Sequence, residues 1–168
     1  MLLGHGVTVD AADFQGVTAL MHAAMHGYVE MTNMLLLAGA NPMKCRLDGK
    51  NAIGLAAEYG RPAALGAFFR HDATLVECRD ASGRTPLLSA VLSRHTPTVK
   101  YMLGRWRADP FVTDAAGNGP LHICRGPVEI LLLLIHSRPE APDLLLRNDL
   151  GQTPSEATAA NGESSIAE

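Results

Sequence analysis

Residues 13–42 read DFQGVTALMHAAMHGYVEMTNMLLLAGANP, and this stretch decides the fold of the chain. It opens with a turn that ends at Gly16 and continues with a short apolar helix pattern over residues 18–24. Gly27 interrupts that pattern, and a second apolar helix pattern follows over residues 29–37. Because one turn and two short helices cannot bury an apolar face alone, further copies of this unit must stack against it.

The turn glycine returns at a nearly constant interval. It occurs five times with almost even spacing, at Gly16, Gly49, Gly83, Gly117 and Gly151. A short run follows each glycine in the same phase: Thr18-Ala19-Leu20, Asn51-Ala52-Ile53, Thr85-Pro86-Leu87, Gly119-Pro120-Leu121 and Thr153-Pro154-Ser155. A break between two helices is predicted eleven residues after three of the turn glycines, at Gly27, Gly60 and Gly162.

This period divides the chain into stacked units that form one domain. Residues 1–12 are interpreted as the tail of a partial unit. The last unit is a partial cap with a helix over residues 154–161 and only a stub of a second helix beyond it. We place the limits of the four complete units and the cap at residues 13–46, 47–79, 80–113, 114–147 and 148–168.

The third and fourth units depart from the pattern. Arg94-His95 stands where the first two units have a glycine, and Thr96-Pro97 predicts an N-cap and a first-turn proline. The fourth unit has a short first helix, over about residues 121–125, and an apolar second helix over residues 128–136. A loop follows at residues 137–142, because its two prolines forbid a helix.

The pattern resembles that of the ankyrin repeat family, whose unit is a tip turn and two antiparallel helices with a period of about 33 residues. The family's Thr-Pro-Leu-His element appears as Thr85-Pro86-Leu87-Leu88 and Gly119-Pro120-Leu121-His122. Its Leu-Leu-x-x-Gly-Ala ending appears as Leu36-Leu37-Ala38-Gly39-Ala40. The resemblance implies an all-α solenoid of about five stacked helix-turn-helix repeats with partial units at both ends. It also implies a protein-binding module without catalytic activity.

Composition argues against several kinds of partner. The net charge is −3 and the pI about 6.1, and the densest basic cluster is only Arg105-Trp106-Arg107. Nucleic-acid-binding domains carry a larger basic patch. The longest apolar run, residues 130–135, is far shorter than the roughly 20 residues of a membrane span. The N-terminus lacks the features of a secretion signal. We therefore expect an intracellular protein, cytoplasmic or nuclear, with neither a nucleic-acid nor a membrane partner.

The cysteines predict free thiols. Cys45 and Cys78 are one period apart, so they occupy the same position in consecutive units. Stacked helices lie about 10 Å apart, which exceeds the Cα separation of a disulfide. Free thiols at these positions and at Cys124 indicate a reducing compartment.

The histidines give only weak signals for chemistry. His22 and His26 have the spacing of two metal ligands on one helix face, but Ala23 stands where a zinc-protease motif has glutamate. The resemblance makes His122 a structural residue that hydrogen-bonds a neighbouring turn. Paired with Cys124 as a nucleophile, His122 would point to a different helix face. We expect no metal and no catalytic residue.

The aspartates and glycines also have structural explanations. Asp13, Asp80 and Asp114 each stand three residues before a turn glycine, where a carboxylate accepts backbone N–H groups of its own turn. The glycine-rich segments lack the Gly-Lys-Ser or Gly-Lys-Thr ending of a phosphate loop. We therefore expect no cofactor and no small-molecule substrate.

The resemblance places the partner-binding surface on the hairpin tips and on a concave groove formed by the first helices. Phe14, Met25, Tyr59 and Leu92 are apolar or aromatic where stacking requires no core residue, and interface centres favour such side chains. The irregular third and fourth units place the centre of the surface on the first two. The candidate contact residues are Phe14, Gln15, Val17, Met25, His26, Lys50, Glu58, Tyr59, Ser82, Arg84 and Leu92.

Three other functions stay open at this point. The chain could be a regulatory or targeting segment of a longer enzyme, with the chemistry outside these residues. It could be an enzyme in its own right, in which case His22 or Cys124 would be needed for turnover. It could also be a spacer without a partner, and then the exposed apolar residues would have no role.

Overall fold

The computed structural model describes residues 8–137 and 146–163. Within these ranges the fold consists of nine α-helices and one 3₁₀ helix (Ala73–Glu77), with isolated β-bridges and no longer strand. The helices are α1 (Ala19–His26), α2 (Val29–Leu37), α3 (Ala52–Glu58), α4 (Pro62–His71), α5 (Pro86–Leu92), α6 (Thr96–Arg105), α7 (Pro120–Ile123), α8 (Val128–His136) and α9 (Pro154–Glu163).

The helices pack in two rows. The first row contains α1, α3, α5, α7 and α9, each in contact with the next, and the second row contains α2, α4, α6 and α8. Each first-row helix up to α7 also packs against the second-row helix that follows it in the chain. Each unit therefore contacts only its neighbours, which is the arrangement of a solenoid. The predicted all-α solenoid is confirmed.

Buried side chains from both rows of helices form the core. Leu20, Ile53 and Leu87 occupy the same position in successive first-row helices, and all three are fully buried. In the second row, Leu65 and Phe68 are also fully buried. Each such side chain contributes about 1.5–3 kcal/mol to folding through the area that it removes from water.

The first-row helices begin where a polar side chain caps them. Thr18 Oγ1 accepts a hydrogen bond from the Met21 amide (3.3 Å), and Asn51 Oδ1 accepts one from the Gly54 amide (2.8 Å). Thr85 caps α5 in the same way. Such a cap satisfies one of the four amides that a helix leaves unpaired at its N-terminus.

A residue in the left-handed region ends each of the first three first-row helices and directs the chain back into the second row. Gly27 (φ 75°) and Gly60 (φ 66°) supply this conformation in the first two units. Arg94 (φ 61°) supplies it in the third unit, although only glycine adopts this conformation without steric cost.

Three boundaries differ from the sequence prediction. The N-cap of α6 is His95, so Thr96 lies inside the helix. Helix α7 ends at Ile123, since the chain is extended at Cys124 (ψ 96°) ahead of Pro127. Helix α9 continues through Gly162, because a glycine weakens a helix by only about 1 kcal/mol and need not break it.

One element was absent from the prediction. The 3₁₀ helix Ala73–Glu77 begins where the Asp72 carboxylate accepts hydrogen bonds from both the amide (2.9 Å) and the hydroxyl (2.7 Å) of Thr74. An Asp-x-Thr sequence is a known signal for such a turn.

Some predictions concern residues that the structure does not describe. The partial unit at residues 1–12 falls mostly outside the described ranges, as do the loop at residues 137–142 and the stub after α9. The unit limits themselves stay a prediction. No helix in the described part of the chain has the length and apolar character to cross a bilayer.

Candidate functional site

Aspartates hold three of the hairpin tips together, as the sequence predicts. Asp13 Oδ1 accepts hydrogen bonds from the amides of Gln15 (2.8 Å) and Val17 (2.9 Å), and the Gly16 amide closes the turn on the Asp13 carbonyl. Asp80 and Asp114 make the corresponding bonds in the third and fourth tips. These carboxylates are held within their own turns, which accounts for them without a catalytic role.

The second tip has a different construction. Arg46 takes the position of the aspartate, and its guanidinium binds the Asp48 carboxylate through Nε (2.6 Å) and Nη2 (2.5 Å). This hydrogen-bonded cation lowers the pKa of Asp48 below its ordinary value, against a smaller opposing effect of burial. Asp48 also accepts a hydrogen bond from the Lys50 amide (3.2 Å).

A ladder of backbone hydrogen bonds joins each tip to the next. The Leu47 amide donates to the Gln15 carbonyl (3.0 Å) and the Ala81 amide to the Gly49 carbonyl (3.0 Å). Bonds of 3.2 Å link the third tip to the fourth and the fourth to the fifth. The tips are therefore fixed relative to one another.

The structure exposes most of the predicted contact residues. Phe14 is 89% exposed, Tyr59 47% and Leu92 43%. Gln15, His26 and Ser82 are exposed as well. Lys50, Glu58 and Arg84 are half-buried, and with Leu92 they line one shallow cleft between the second and third units.

The prediction for Val17 is wrong, and that for Met25 holds only in part. Val17 is 7% exposed and belongs to the core, because its position after the turn points into the stack. Met25 is half-buried and packs against the core. Val17 therefore offers no surface to a partner, and Met25 offers only part of its side chain.

The sequence reasoning missed Leu47, which is 82% exposed. It lies in the second tip, one period after Phe14, and so occupies the same position of the unit. The hydrogen bond between the Leu47 amide and the Gln15 carbonyl brings these two tips together. The period could have found Leu47, since it is an apolar residue at the position that already marked Phe14.

Within the cleft, Lys50 and Glu58 form an ion pair with an Nζ–Oε1 distance of 2.7 Å. Both side chains are about 30% exposed, at 28% and 32%, so water screens the pair. The pair makes the cleft polar and nearly neutral where it borders Leu92.

Within the described part of the chain the histidines do not gather into a metal centre. The rings of His22 and His26 are parallel with centroids 6.4 Å apart, and His26 also stacks on Tyr28 at 5.5 Å. Nowhere in the described ranges do three potential ligands from histidine, cysteine, aspartate or glutamate come together.

His122 has the structural role that the resemblance implies. It is buried, and its Nδ1 accepts a hydrogen bond from the Gly119 amide (3.2 Å). The proton therefore lies on Nε2, which faces the carbonyls of Leu146 (3.1 Å) and Gln152 (3.2 Å). His122 ties the fourth unit to the fifth.

Two of the three thiols lie in environments that disfavour the thiolate. All three cysteines are free, and only Cys45 is exposed. Burial raises the pKa of Cys78 to about 12 and also raises the pKa of Cys124. A catalytic cysteine needs a lowered pKa, so these environments argue against nucleophilic catalysis.

Sequence comparison agrees with this geometry. A family model described as "Ankyrin repeats (3 copies)" matches residues 35–114, and one described as "Ankyrin repeat" matches residues 15–46. "Ankyrin repeat and KH domain-containing protein mask-1" of Caenorhabditis elegans is 29% identical over 85% of this chain. "Palmitoyltransferase AKR1" of Lachancea kluyveri is 33% identical over 74% of the chain. "NF-kappa-B inhibitor delta" of Mus musculus is 35% identical over 51%.

The chain spans only 6%, 18% and 26% of these three relatives, respectively. The likeness therefore concerns the repeats and not the remainder of those proteins. Two family models that together cover residues 15–114 agree with the tip turns and paired helices of the structure. This chain belongs to the ankyrin repeat family.

Proposed function

We propose that the chain is a non-catalytic adaptor that binds a protein partner along its tips and first-row helices. The observation that carries the proposal is the pair of apolar side chains Phe14 and Leu47, 89% and 82% exposed on neighbouring tips. Isolated exposed apolar residues are ordinary, but adjacent ones on a preformed surface are typical of binding sites.

The rigidity of the surface supports the same function. The backbone ladder between tips holds Phe14 and Leu47 in place before any partner arrives. Little conformational entropy is then lost on binding, which favours affinity from a small contact area. Tyr59 and Leu92 add exposed apolar side chains at the C-terminal ends of α3 and α5.

The test is affinity capture from the source cell with crosslinking mass spectrometry. The wild-type chain is compared with the triple variant Phe14→Ser/Leu47→Ser/Tyr59→Ser. A matched control, Met31→Ser/Met34→Ser/Leu37→Ser, removes three exposed apolar side chains from α2 instead. All three proteins must first show the same helical circular dichroism.

We expect the wild type and the control to capture the same protein, with crosslinks near Lys50. The triple variant Phe14→Ser/Leu47→Ser/Tyr59→Ser should not capture it. Identical captures by all three would overturn the groove as the binding site. The spacer function would then be the better account.

The cellular location is part of the proposal. Three free thiols, two of them half-buried, favour a reducing compartment and hence an intracellular protein, cytoplasmic or nuclear. One relative is named as an inhibitor of NF-kappa-B, and that name supports a role in binding.

A second candidate is a regulatory or targeting segment of a longer enzyme. The likeness to a protein named as a palmitoyltransferase favours it, since this chain aligns with 18% of that protein. A transcript whose reading frame continues upstream of Met1 into an enzyme domain would establish this function. A transcript whose upstream reading frame encodes no enzyme domain would favour the adaptor function.

A further inference from the structure

A row of basic side chains runs along the edge of the stack opposite the tips. This edge is formed by the loops that connect each first-row helix to its second-row partner. Each of the first four units contributes one exposed basic residue to it: His26, Arg61, Arg94 and Arg125. We call this set the basic edge.

The row is continuous because neighbouring loops are in contact. Arg61 Nε donates a hydrogen bond to the Met25 carbonyl of the preceding unit (2.9 Å). Its stem covers Gly27, where a Cβ would lie 3.1 Å from Arg61 Cδ. The stem of Arg94 extends in the opposite direction, toward the next unit, with Cγ 3.6 Å from the position of a Cβ at Gly126.

The three arginines of the basic edge have no acidic partner in the described part of the chain. The ion pairs there involve Arg46, Lys50 and Arg147 instead. Glu30 and Glu129 lie in the first turns of α2 and α8, so acidic groups are found toward the ends of the row. The first turns of α4 and α6, between them, contain none.

The backbone at Arg94 gives a second and independent observation. This residue has φ 61°, in the left-handed region where the first two units use glycine. Its amide donates to the Val91 carbonyl (3.1 Å), just as the Gly60 amide donates to Ala57 (3.1 Å). A glycine would make the same turn without strain, so an arginine at this position lowers the stability of the folded state. Strained residues of this kind concentrate at functional sites.

A purely structural account of the row explains less. Cations near the C-termini of α1, α3 and α5 would stabilise the helix dipoles. That role needs one charge near each helix end, and it gives no reason for placing Arg94 in a strained conformation. Recognition of an external anion explains both the strain and the lack of an acidic partner for these arginines in the described ranges.

We propose that the basic edge binds an extended acidic segment of a protein partner. Neighbouring helices pack about 10 Å apart, and an extended chain advances about 3.3 Å per residue. A carboxylate at roughly every third residue would therefore advance by about one unit of the stack, and each unit supplies one flexible basic side chain. Arginine is suited to this task, because its planar group binds a carboxylate through two parallel hydrogen bonds.

The charge balance favours a peptide over a nucleic acid. The whole chain has a net charge of −3, and the edge is a single row of three arginines and a histidine. Nucleic-acid-binding domains carry a wider basic surface. This inference extends the proposed function to a second surface, since the edge lies at the far end of the first-row helices from Phe14 and Leu47.

The probe is a fluorescent 13-residue peptide with glutamates at positions 2, 5, 8 and 11, separated by serine and threonine. A second peptide of the same composition has its four glutamates adjacent. Binding to the purified chain is measured by fluorescence anisotropy at low and physiological salt. Arg61→Gln/Arg94→Gln/Arg125→Gln removes the edge, and the matched control Arg70→Gln/Lys100→Gln/Arg105→Gln removes three exposed cations from the second-row helices.

We expect the spaced peptide to bind more tightly than the clustered one and to weaken as salt is added. The variant that lacks the three edge arginines should bind the peptide about tenfold more weakly, because it loses three arginine–glutamate pairs that water partly screens. The control variant should keep the wild-type affinity. Phe14→Ser/Leu47→Ser should also keep it, so that failure of the groove proposal and failure of this one are distinguishable.

Three results would each overturn the proposal. Equal binding of both peptides would contradict the spacing. An equal loss in the edge and control variants would show only general charge attraction. Tighter binding of single-stranded RNA or of vesicles containing anionic lipid than of the spaced peptide would assign the edge to another ligand. Glycine adopts the positive φ at position 94 without strain, so Arg94→Gly should keep the fold. If that variant bound the spaced peptide with wild-type affinity, the role given to Arg94 would also be contradicted.

Discussion

Arg94 and Gly60 occupy the same place in consecutive units and have nearly the same backbone conformation, with φ of 61° and 66°. Both amides close the end of a first-row helix, and the residue after each also donates to that helix. The two residues thus perform one structural task, but only glycine performs it without a steric penalty. The arginine is therefore explained by what its side chain does outside the turn.

Arg94→Gly should stabilise the protein. Relief of the left-handed strain stabilises the variant by about 1–2 kcal/mol. The greater freedom of glycine in the unfolded chain destabilises it by about 0.5–1 kcal/mol. A net increase of about 0.5–1 kcal/mol in the free energy of unfolding is expected, measured by urea denaturation. Arg61→Gly is the control and should destabilise, because Arg61 has a negative φ of −110°. A less stable Arg94→Gly protein would show that the backbone is not strained there.

His122→Ala should weaken the junction between the fourth and fifth units. The substitution removes the acceptor of the Gly119 amide and the donor facing Leu146 and Gln152. Buried groups left without partners cost about 2–3 kcal/mol in total. Hydrogen exchange should show faster opening of α9 than of α3, since α9 packs on α7. His26→Ala, at an exposed position, should change stability by less than about 0.5 kcal/mol. Uniform loss of protection in all helices would contradict a local role.

Cys45 should react with thiol reagents well before the other cysteines. It is exposed, while burial raises the pKa of Cys78 to about 12 and also raises that of Cys124. The thiolate is the reactive form, so one fast and two slow modifications by iodoacetamide are expected at pH 8, located by peptide mass mapping. Cys45→Ser should abolish the fast phase. A fast phase that survives in this variant would mean that the stack opens more readily than its burial indicates.

The fold could be predicted because it depends on periodic local signals. Turn glycines such as Gly49, caps such as Thr18 and apolar positions such as Leu20 return from unit to unit, and each signal acts within one unit. The end of α9 was harder to predict, because a glycine weakens a helix by only about 1 kcal/mol, so Gly162 can lie within a helix as well as break one. Which of the two occurs depends on packing and not on the glycine itself.

The candidate site was only partly predictable. Phe14 and Tyr59 were found because they are apolar where the repeat requires no core residue. Val17 was misassigned because two residues flanking one turn glycine can point to opposite sides, and sequence alone does not give their direction. The basic edge was missed because its residues occupy different positions in each loop, so no strict period connects Arg61 with Arg125.

Asp48 offers a test of the unusual second tip through its titration. The bidentate bond from Arg46 holds the Asp48 pKa below its ordinary value of 3.8. A lowered pKa means that the ionised form stabilises the fold: the contribution is complete above pH 3.8 and is lost as pH falls through the folded value. Since the Asp48 side chain is 42% exposed, this contribution to the free energy of unfolding should be no more than about 0.5–1 kcal/mol.

The measurement is carboxyl NMR of the Arg46→Gln variant, in which the Asp48 pKa should rise toward 3.8. Asp72 is the internal control, because Thr74 lowers its pKa and Arg46 has no part in it. An unchanged Asp48 pKa in the variant would show that the Lys50 amide, and not Arg46, supports this carboxylate.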